Sequence, residues 1–439
     1  MREIYKFLTF CPVLVFLSCK VLAVDLMEIY TLAETRDPLY QQAVLSTLAS
    51  RESKPQARAL LFPSVSLTAN TIDNDETISS ADVGSSGDID FNGHGYTFSV
   101  TQPLFRWDRY LSLRQANSTI LQAEAEQLSA QQALIIRVAE SYFGILFAED
   151  SLKFATSEKE SLNRQLEQAT QRFKVAFASI TDVQETQAGF DNAIADKIQA
   201  ENSLDDALEE LREITSEYTV ELASLMESMP IVSPVPNDIN QWLETSKSQN
   251  LSVVVAKHSL ENSRQEIKKQ NAGHLPTLDL VASHGYDVSG GRFGETDTGA
   301  TSIGLELNLF LFQGGLVNSK SKEARIRYEQ SLQEFKQALN AAEKATRQSF
   351  SDINSGLKNV AALKRVVISR EAALIATEIG FKNGTRTTVD VLASKQTLSG
   401  AKRKYSRARY DYLLDSLRLK QAVGTLKPDD LIQINDWLN

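Results

Sequence analysis

Four short stretches of the chain alternate apolar and polar residues. Val65, Leu67 and Ala69 alternate with Ser64, Ser66 and Thr68, and Tyr96, Phe98 and Val100 alternate with Thr97, Ser99 and Thr101. In the second half Leu278 and Leu280 alternate with Thr277 and Asp279, while Ile303, Leu305, Leu307, Leu309 and Leu311 alternate with Ser302, Gly304, Glu306, Asn308 and Phe310. A period of two sends successive side chains to opposite faces, so each stretch predicts a strand. An apolar face about ten residues long is what a lipid-facing barrel strand shows. An antiparallel sheet with one wet face gives the same alternation, and pattern alone favours that plainer reading.

The strands come in two pairs. A long loop, 73–94, is expected inside the first pair; it carries Asp73, Asp75, Glu76, Asp82, Asp88 and Asp90 with many Gly and Ser. A shorter loop, 289–300, is expected inside the second. Four strands cannot close a barrel, and open edges cannot face lipid. If these strands cross a membrane, several chains share one barrel.

The rest of the pattern is helical. Trp107 to Phe173 contains no proline and one glycine, Gly144; Leu316 to Phe381 contains no proline, and only Gly356 and Gly380 interrupt it. At about 1.5 Å per residue, each helix approaches roughly 100 Å. Leu121, Leu128, Ile135 and Tyr142 recur every seven residues, as do Ala125, Gln132, Ala139 and Leu146, which predicts side-by-side helix packing. The opposite faces carry Glu, Gln, Lys and Arg. An antiparallel coiled-coil rod or surface fibre would show these helices too; the strands count against it.

The chain repeats its plan. LFPSVSLTA (61–69) matches HLPTLDLVA (274–282), and SVTQPLFRWDR (99–109) matches ELNLFLFQGGL (306–316) in kind. RFKVAFASITD (172–182) and GFKNGTRTTVD (380–390) have one shape: a helix end, a turn and a new helix start, with Asp182 and Asp390 in matching places. Each half closes with a helix, 203–216 and 410–424. This is a tandem duplication, far longer than a solenoid repeat. The expected division is a leader at 1–23, a first repeat at 24–230 and a second at 231–439. Gly384 supplies the left-handed residue that ends a helix. Ala176 stands in its place in the first copy, so that turn is expected to be tighter-held or differently shaped. Thr181 and Asp182, and Thr387, Thr388 and Asp390, open the following helices, where an acidic residue complements the positive helix end. Arg386 occurs in one turn only and is a plausible partner for Asp182 across an interface. Gln165 and Glu378 lie on the incoming helices.

Composition narrows the class. Among 439 residues there are 20 Gly and 10 Pro, few for an all-β protein, and the formal net charge of −10 argues against a nucleic-acid partner. Arg2 and Lys6, an apolar stretch through PVLVFL and Val21-Leu22-Ala23 read as a secretory leader cleaved after Ala23. Lipidation at Cys19 is the alternative, though Phe16 and Leu17 fit it poorly. Arg2, Glu3, Lys6 and Lys20 carry a net +2, so removing the leader leaves −12. Both cysteines, Cys11 and Cys19, go with it, which excludes disulfides and thiolate metal sites. His94, His258, His274 and His284 have no metal-ligand spacing, and neither a Cys nucleophile nor a phosphate-cradling glycine loop is present after the leader. The glycine pairs at 290 and 314 read as turns. No later stretch is apolar enough for a spanning helix. A secreted chain of this kind is periplasmic, extracellular or an outer-membrane β-barrel. No enzyme activity and no cofactor are expected.

RQLEQATQRFKV and ITDVQ in the first half, with HLPTLDL, FQGG, GTRTTVDVL and YDYLLDSLRLKQAVGTL in the second, resemble the TolC family of outer-membrane efflux and secretion channels. The resemblance covers essentially all of the chain after the leader and is to a near rather than a remote branch. It implies an α+β fold: a homotrimer whose chains each give four strands to a twelve-stranded outer-membrane β-barrel, continuing into a long periplasmic α-helical barrel. It implies mixed-length helices near 215–250, broken at Pro230, Pro234 and Pro236, as an equatorial belt. It implies a passive exit duct for tripartite efflux pumps and type I secretion systems, embedded in outer-membrane lipid. The duct would be gated at its periplasmic tip and docked there by a periplasmic adaptor and an inner-membrane pump of ABC, RND or MFS type. The channel constriction carried over is Asp390 with Ala393, where the family's second aspartate is missing or replaced by Ser394 or Lys395 nearby. The gate links carried over are Asp182, Arg386, Gln165, Glu378 and Phe381, and the adaptor-docking turns are Lys174, Ala176, Asn383 and Gly384. A tyrosine of the family's network is Phe381 here and cannot donate a hydrogen bond.

Overall fold

Absence of proline and a dense run of Ala, Gln, Glu and Leu let two helices continue without a break for about a third of their half of the chain. The computed structural model describes residues 24–79, 86–217, 221–290 and 294–438. The expected leader, with Cys11 and Cys19, lies outside them, as does Asp82. The first half runs α1 (Leu26–Arg36), α2 (Pro38–Arg51), α3 (Ser53–Ala59), β1 (Ser64–Ser79), β2 (Ser86–Phe105), α4 (Trp107–Lys174) and α5 (Ile180–Thr215). The second runs α6 (Ile239–Gln249), α7 (Leu251–Asn271), β3 (Thr277–Ser289), β4 (Thr296–Asn308), α8 (Leu316–Lys382) and α9 (Thr388–Val423), and α10 (Asp429–Asn435) follows. The duplication shows in lengths: α4 and α8 have 68 and 67 residues, α5 and α9 have 36 each. At about 1.5 Å per residue the longer pair spans roughly 100 Å.

Heptads hold the hairpins together, with small residues on the seam. Along α4, Leu134, Ser141, Ala148, Ala155, Leu162 and Ala169 are buried at seven-residue intervals; along α5, Thr186, Ala193 and Ala200 are. Small side chains let the backbones approach closely and pack densely. Of the seams expected from sequence, Ala125, Gln132, Ala139 and Leu146 are buried throughout. The other is only half right: Ile135 and Tyr142 are buried, but Leu121 and Leu128 are 47% and 51% exposed. Towards this end α4 packs on α2, α3 and α7, and among the described residues of the single chain this stripe stays uncovered.

The four strands form one antiparallel sheet in the order β1-β2-β3-β4. The β2–β3 pairing joins the two halves, with Val100 opposite Ala282 and Phe98 opposite His284. Register places Val65, Leu67, Phe98, Val100, Leu280, Ala282, Ile303 and Leu305 on one face, and Ser66, Ser99, Ser283 and Ser302 on the other. The alternation read from the sequence is therefore the sheet's own. Its limits are not. Most of the expected loop 73–94 is strand, with Asp75 paired opposite Asp90, and 296–300 belongs to β4. Cross-strand hydrogen bonds carry the ladder past the apolar band: Thr71 Oγ1 to Asn92 Oδ1 at 3.1 Å and Thr77 Oγ1 to Asp88 Oδ1 at 2.9 Å. At the other end β4 stops at Asn308, opposite Thr277, the first residue of β3. Leu309 and Leu311 thus fall outside the strand expected for them, and Leu311 is 90% exposed. Where β2 enters α4, the Arg106 guanidinium forks onto the nearly buried Asp279 carboxylate of β3, its Nε at 3.0 Å from Oδ1.

The core gathers at mid-height. Leu26, Ile29 and Tyr30 of α1, Leu134 to Leu146 of α4, Leu211 of α5, Leu413 to Val423 of α9 and Leu431 of α10 form one cluster from both repeats. The Tyr142 hydroxyl donates to the Ala223 carbonyl at 2.8 Å. Among the described residues of the expected equatorial segment after α5, only α6 is helical. Residues 221–238, interrupted by Pro230, Pro234 and Pro236, run irregularly and attach by isolated bridges, Val24 to Leu222 and Leu225 to Leu438. Asp37, 2% exposed, is gripped by both Arg137 terminal nitrogens at 2.9 and 2.6 Å. Burial raises its pKa, but the Arg137 hydrogen bonds and charge outweigh that and hold it below the usual carboxylate range.

Candidate functional site at the hairpin tips

The two tip turns have one geometry. In the first, Ala176 N donates to Phe173 O at 2.9 Å and Phe177 N to Arg172 O at 2.7 Å. In the second, Gly384 N donates to Phe381 O at 3.1 Å and Thr385 N to Gly380 O at 2.9 Å. Ala176 adopts the left-handed conformation (φ 63°), as Gly384 does (φ 75°). Of the two expectations for the first turn, tighter-held or differently shaped, the shape is the same and the hydrogen bonds to the helix end are the shorter ones, so alanine accepts the left-handed backbone in a tighter-held turn.

Each following helix opens with a capping box. Ser179 is the N-cap of α5 and exchanges hydrogen bonds with Asp182, and Thr387 does the same with Asp390 on α9. The Ser179 backbone N–H reaches Asp182 Oδ2 at 3.0 Å, and the Thr387 N–H reaches Asp390 Oδ2 at 2.9 Å. Sequence reading missed Ser179, although its S-x-x-D spacing is the signal. Asp182 is held below the usual carboxylate range by the Ser179 N–H first, then by the Ser179 and Thr388 hydroxyls and the Arg172 charge. Asp390 is lowered by the Thr387 N–H, then the Thr387 hydroxyl, with the Arg386 charge adding to them.

Between the hairpins lies a cavity of about 240 Å³ lined by Gln165, Arg172, Asp182, Phe381, Gly384 and Arg386, among others. Four of the five expected gate-link residues therefore meet there. Within the single chain, among the described residues, no ion pair joins Asp182 to Arg386. Both amide atoms of Gln165 are buried without a hydrogen-bond partner. The Arg172 guanidinium lies over the Phe381 ring, 5.3 Å from its centroid. Glu378, the fifth, turns away to Lys395, 3.8 Å from its Nζ.

Asp390 and Ala393 sit three residues apart on one face of α9, Ala393 exposed. Ser394 and Lys395 turn inward instead: Ser394 Oγ donates to Thr377 Oγ1 at 3.3 Å, and Lys395 Nζ to Ser161 Oγ at 2.7 Å. Burial pushes the Lys395 ammonium below the ordinary lysine range; Glu378 offsets this and Arg164 adds to it. At the extreme tips Lys174 ends α4 and Asn383 caps α8, both exposed. The first turn presents Val175 and Phe177, 63% and 78% exposed, where the second presents Asn383 and Thr385.

The family model described as Outer membrane efflux protein matches residues 29–217 and 242–425. The chain belongs to the outer membrane efflux protein family. It is 36% identical over 428 residues to Outer membrane protein TolC of Vibrio cholerae, covering 96% of this chain and 95% of that one. It is 29% identical to the Alkaline protease secretion protein AprF of Pseudomonas aeruginosa, covering 98% and 90%. Its fold is similar to the CmeC outer membrane channel of Campylobacter jejuni, with TM-score 0.80 and 14% identity over 94% of this chain and 90% of that one. This member of the family is an outer-membrane exit duct of the efflux and secretion class, and its fold is the α+β channel fold. Its relatives are channel proteins.

Proposed function

We propose that three copies of this chain close one barrel and one helical tunnel, and that the tunnel is a passive duct opened at its hairpin tips. The observation that carries this is the sheet: four strands, both outer edges (β1 and β4) without a partner strand among the described residues, and an apolar face with Leu67 at 69% and Leu305 at 67% exposed. Such a sheet cannot sit in lipid alone. Three copies joined edge to edge, β4 to the next β1, give every edge a partner.

In this reading six hairpins, two from each chain, converge at the tips. Asp390 faces the constriction with Ala393 beside it. Asp182 and Arg386, which share a cavity without pairing, pair between neighbouring copies. Lys174, Ala176, Asn383 and Gly384 present the turns to a periplasmic adaptor, and an inner-membrane pump of ABC, RND or MFS type supplies the energy for efflux or type I secretion. The chain performs no catalytic step.

The test is electrical. Trimers purified and inserted in a planar lipid bilayer carry a small current, and Asp182→Ala or Arg386→Ala enlarges it. Intact trimers that never conduct, with or without these substitutions, exclude the duct.

A further inference from the structure

Below the core, polar contacts tie the second hairpin to the first, among them Ser406 and Tyr410 on Asp150. Another centres on Lys395, two turns into α9, whose side chain is 17% exposed. Its Nζ donates to Ser161 Oγ of α4 at 2.7 Å and lies 3.8 Å from a Glu378 carboxylate oxygen of α8. A single side chain thereby links three helices and both hairpins. Beside it, the Ser394–Thr377 hydroxyl contact at 3.3 Å keeps α9 in register with α8. One turn along α4 from Ser161, the Gln165 amide is buried and unpartnered while Glu378 faces the lysine.

An ammonium half-removed from water is unfavourable unless its partners are well placed, and removing one partner leaves the other charge uncompensated. A side chain that served only to fill this seam would be apolar, as Leu162 is on α4. The lysine is instead directed across the seam between hairpins, two turns above the tip.

We propose that Lys395 is a positioning residue of the gate: through Ser161 and Glu378 it clamps the second hairpin onto the first and holds the tip closed. Phe381 has no hydroxyl to donate; the Thr388 hydroxyl reaches Asp182 at the tip, and the lysine supplies a further donor between the hairpins two turns away. The inference rests on the reading that the hairpin tips are the gate, and its test separates the two.

The experiment measures bilayer conductance of the full-length protein and of Lys395→Met, Lys395→Arg, Ser161→Ala and Glu378→Gln, with Asp182→Ala as the reference for tip opening. Trimer retention on a gel and helicity by circular dichroism confirm folding for each. Lys395→Met should raise the open fraction on the order of fivefold or more, as a coupling of this size implies. Lys395→Arg should stay near wild type, and Ser161→Ala should open the channel in the same direction but less. Lys395→Met with Glu378→Gln should open it no further than Lys395→Met alone. If Asp182→Ala opens the channel and Lys395→Met does not, the clamp is wrong and the tip gate stands. Equal effects of Met and Arg would mean packing rather than charge and would also overturn it. If neither Asp182→Ala nor Lys395→Met changes the current, the tip is not the gate and the clamp falls with it.

Discussion

Ala176 and Gly384 stand in the same place in two turns 208 residues apart, and both are left-handed, at φ 63° and 75°. A residue with a Cβ resists this conformation by about 1–2 kcal/mol, whereas glycine takes it freely. Ala176→Gly should therefore stabilise the first turn by about 1 kcal/mol, less what glycine gains in the unfolded chain. Gly384→Ala should loosen the second by a similar amount through the backbone alone, because an added Cβ there meets nothing within 4 Å. Amide hydrogen exchange across 172–180 and 380–388 reads both; equal protection in wild type and Ala176→Gly would show that the strain is not stored there.

The capping boxes should make the tips acid-sensitive. Asp182 and Asp390 both have depressed folded-state pKa values, so their contribution is fully present above the unfolded value of about 3.9 and is lost as pH falls through the folded value. Spin labels at Val175→Cys and Asn383→Cys should report turns that stay ordered at neutral pH and become mobile only below about pH 4. Ser179→Ala and Thr387→Ala each remove one N-cap, at about 1 kcal/mol, and should bring the same mobility at neutral pH. Mobility unchanged from neutral pH down to pH 3 would separate the carboxylates from tip order.

Much of this architecture is legible in sequence because it is periodic. Sixty-odd residues with seven-residue spacing and no proline read as a very long helix, and α4 and α8 end within one residue of where Phe173 and Phe381 place them. What was misjudged depended on partners far along the chain. Asp75 and Asp90 look like loop residues until a ladder pairs them, and Leu309 and Leu311 look like strand residues until β3 runs out opposite Asn308. Leu121 and Leu128 have seam spacing but stay uncovered among the described residues of one chain. At the tip, the duplicated turn is enough to bring Asp182, Arg386 and Gln165 together, while Phe381 comes in only through the resemblance to the family. Diversion of Glu378 to Lys395 is not legible, since nothing local says which face of α9 turns inward.

The sheet's apolar face makes a prediction of its own. Leu305 is 67% exposed in the single chain and lies between Ile303 and Leu307 on the apolar face of β4, opposite Leu280. Leu305→Arg should cost about 2–4 kcal/mol if the face lies in hydrocarbon near mid-depth. Ser302→Arg, on the opposite face, should be tolerated. The yield of heat-modifiable trimer in outer-membrane fractions compares them, and equal loss from both would argue against a lipid-facing side.

Phe381 is not idle for lacking a hydroxyl. The Arg172 guanidinium over its ring ties the helix ends of the two hairpins together, an attraction of roughly 0.5–1 kcal/mol at a partly exposed site. Phe381→Leu should loosen the tip and raise the open fraction two- to fivefold, on the order of what that energy allows. Phe381→Tyr keeps the ring and adds a donor inside the cavity that Asp182 also lines, so it should lower conductance below wild type. A tyrosine variant that conducts more than wild type would show that the cavity has no room for the hydroxyl.

Ala393 bears on ion block. It lies exposed on the same face of α9 as Asp390, one turn farther from the tip, so in the proposed trimer three copies would present one ring of carboxylates where an aspartate at 393 would add a second. Ser394 and Lys395 do not fill that place, because both are engaged with α8 or α4. Multivalent cations bind a narrow passage through converging carboxylates, and affinity grows steeply with their number. Asp390 also gives part of its bonding capacity to the Thr387 N–H and hydroxyl, at 2.9 and 3.1 Å, leaving less for a passing ion. The wild-type channel should therefore be blocked weakly by divalent and trivalent cations from the tip side. Ala393→Asp should lower the blocking concentration by at least tenfold, corresponding to about 1.4 kcal/mol or more. Asp390→Asn in the Ala393→Asp background should return block towards the wild-type level, since one carboxylate ring would again remain. Titrating hexaamminecobalt against single-channel current measures all three. Block that is unchanged by Ala393→Asp would place the constriction elsewhere on the tunnel wall.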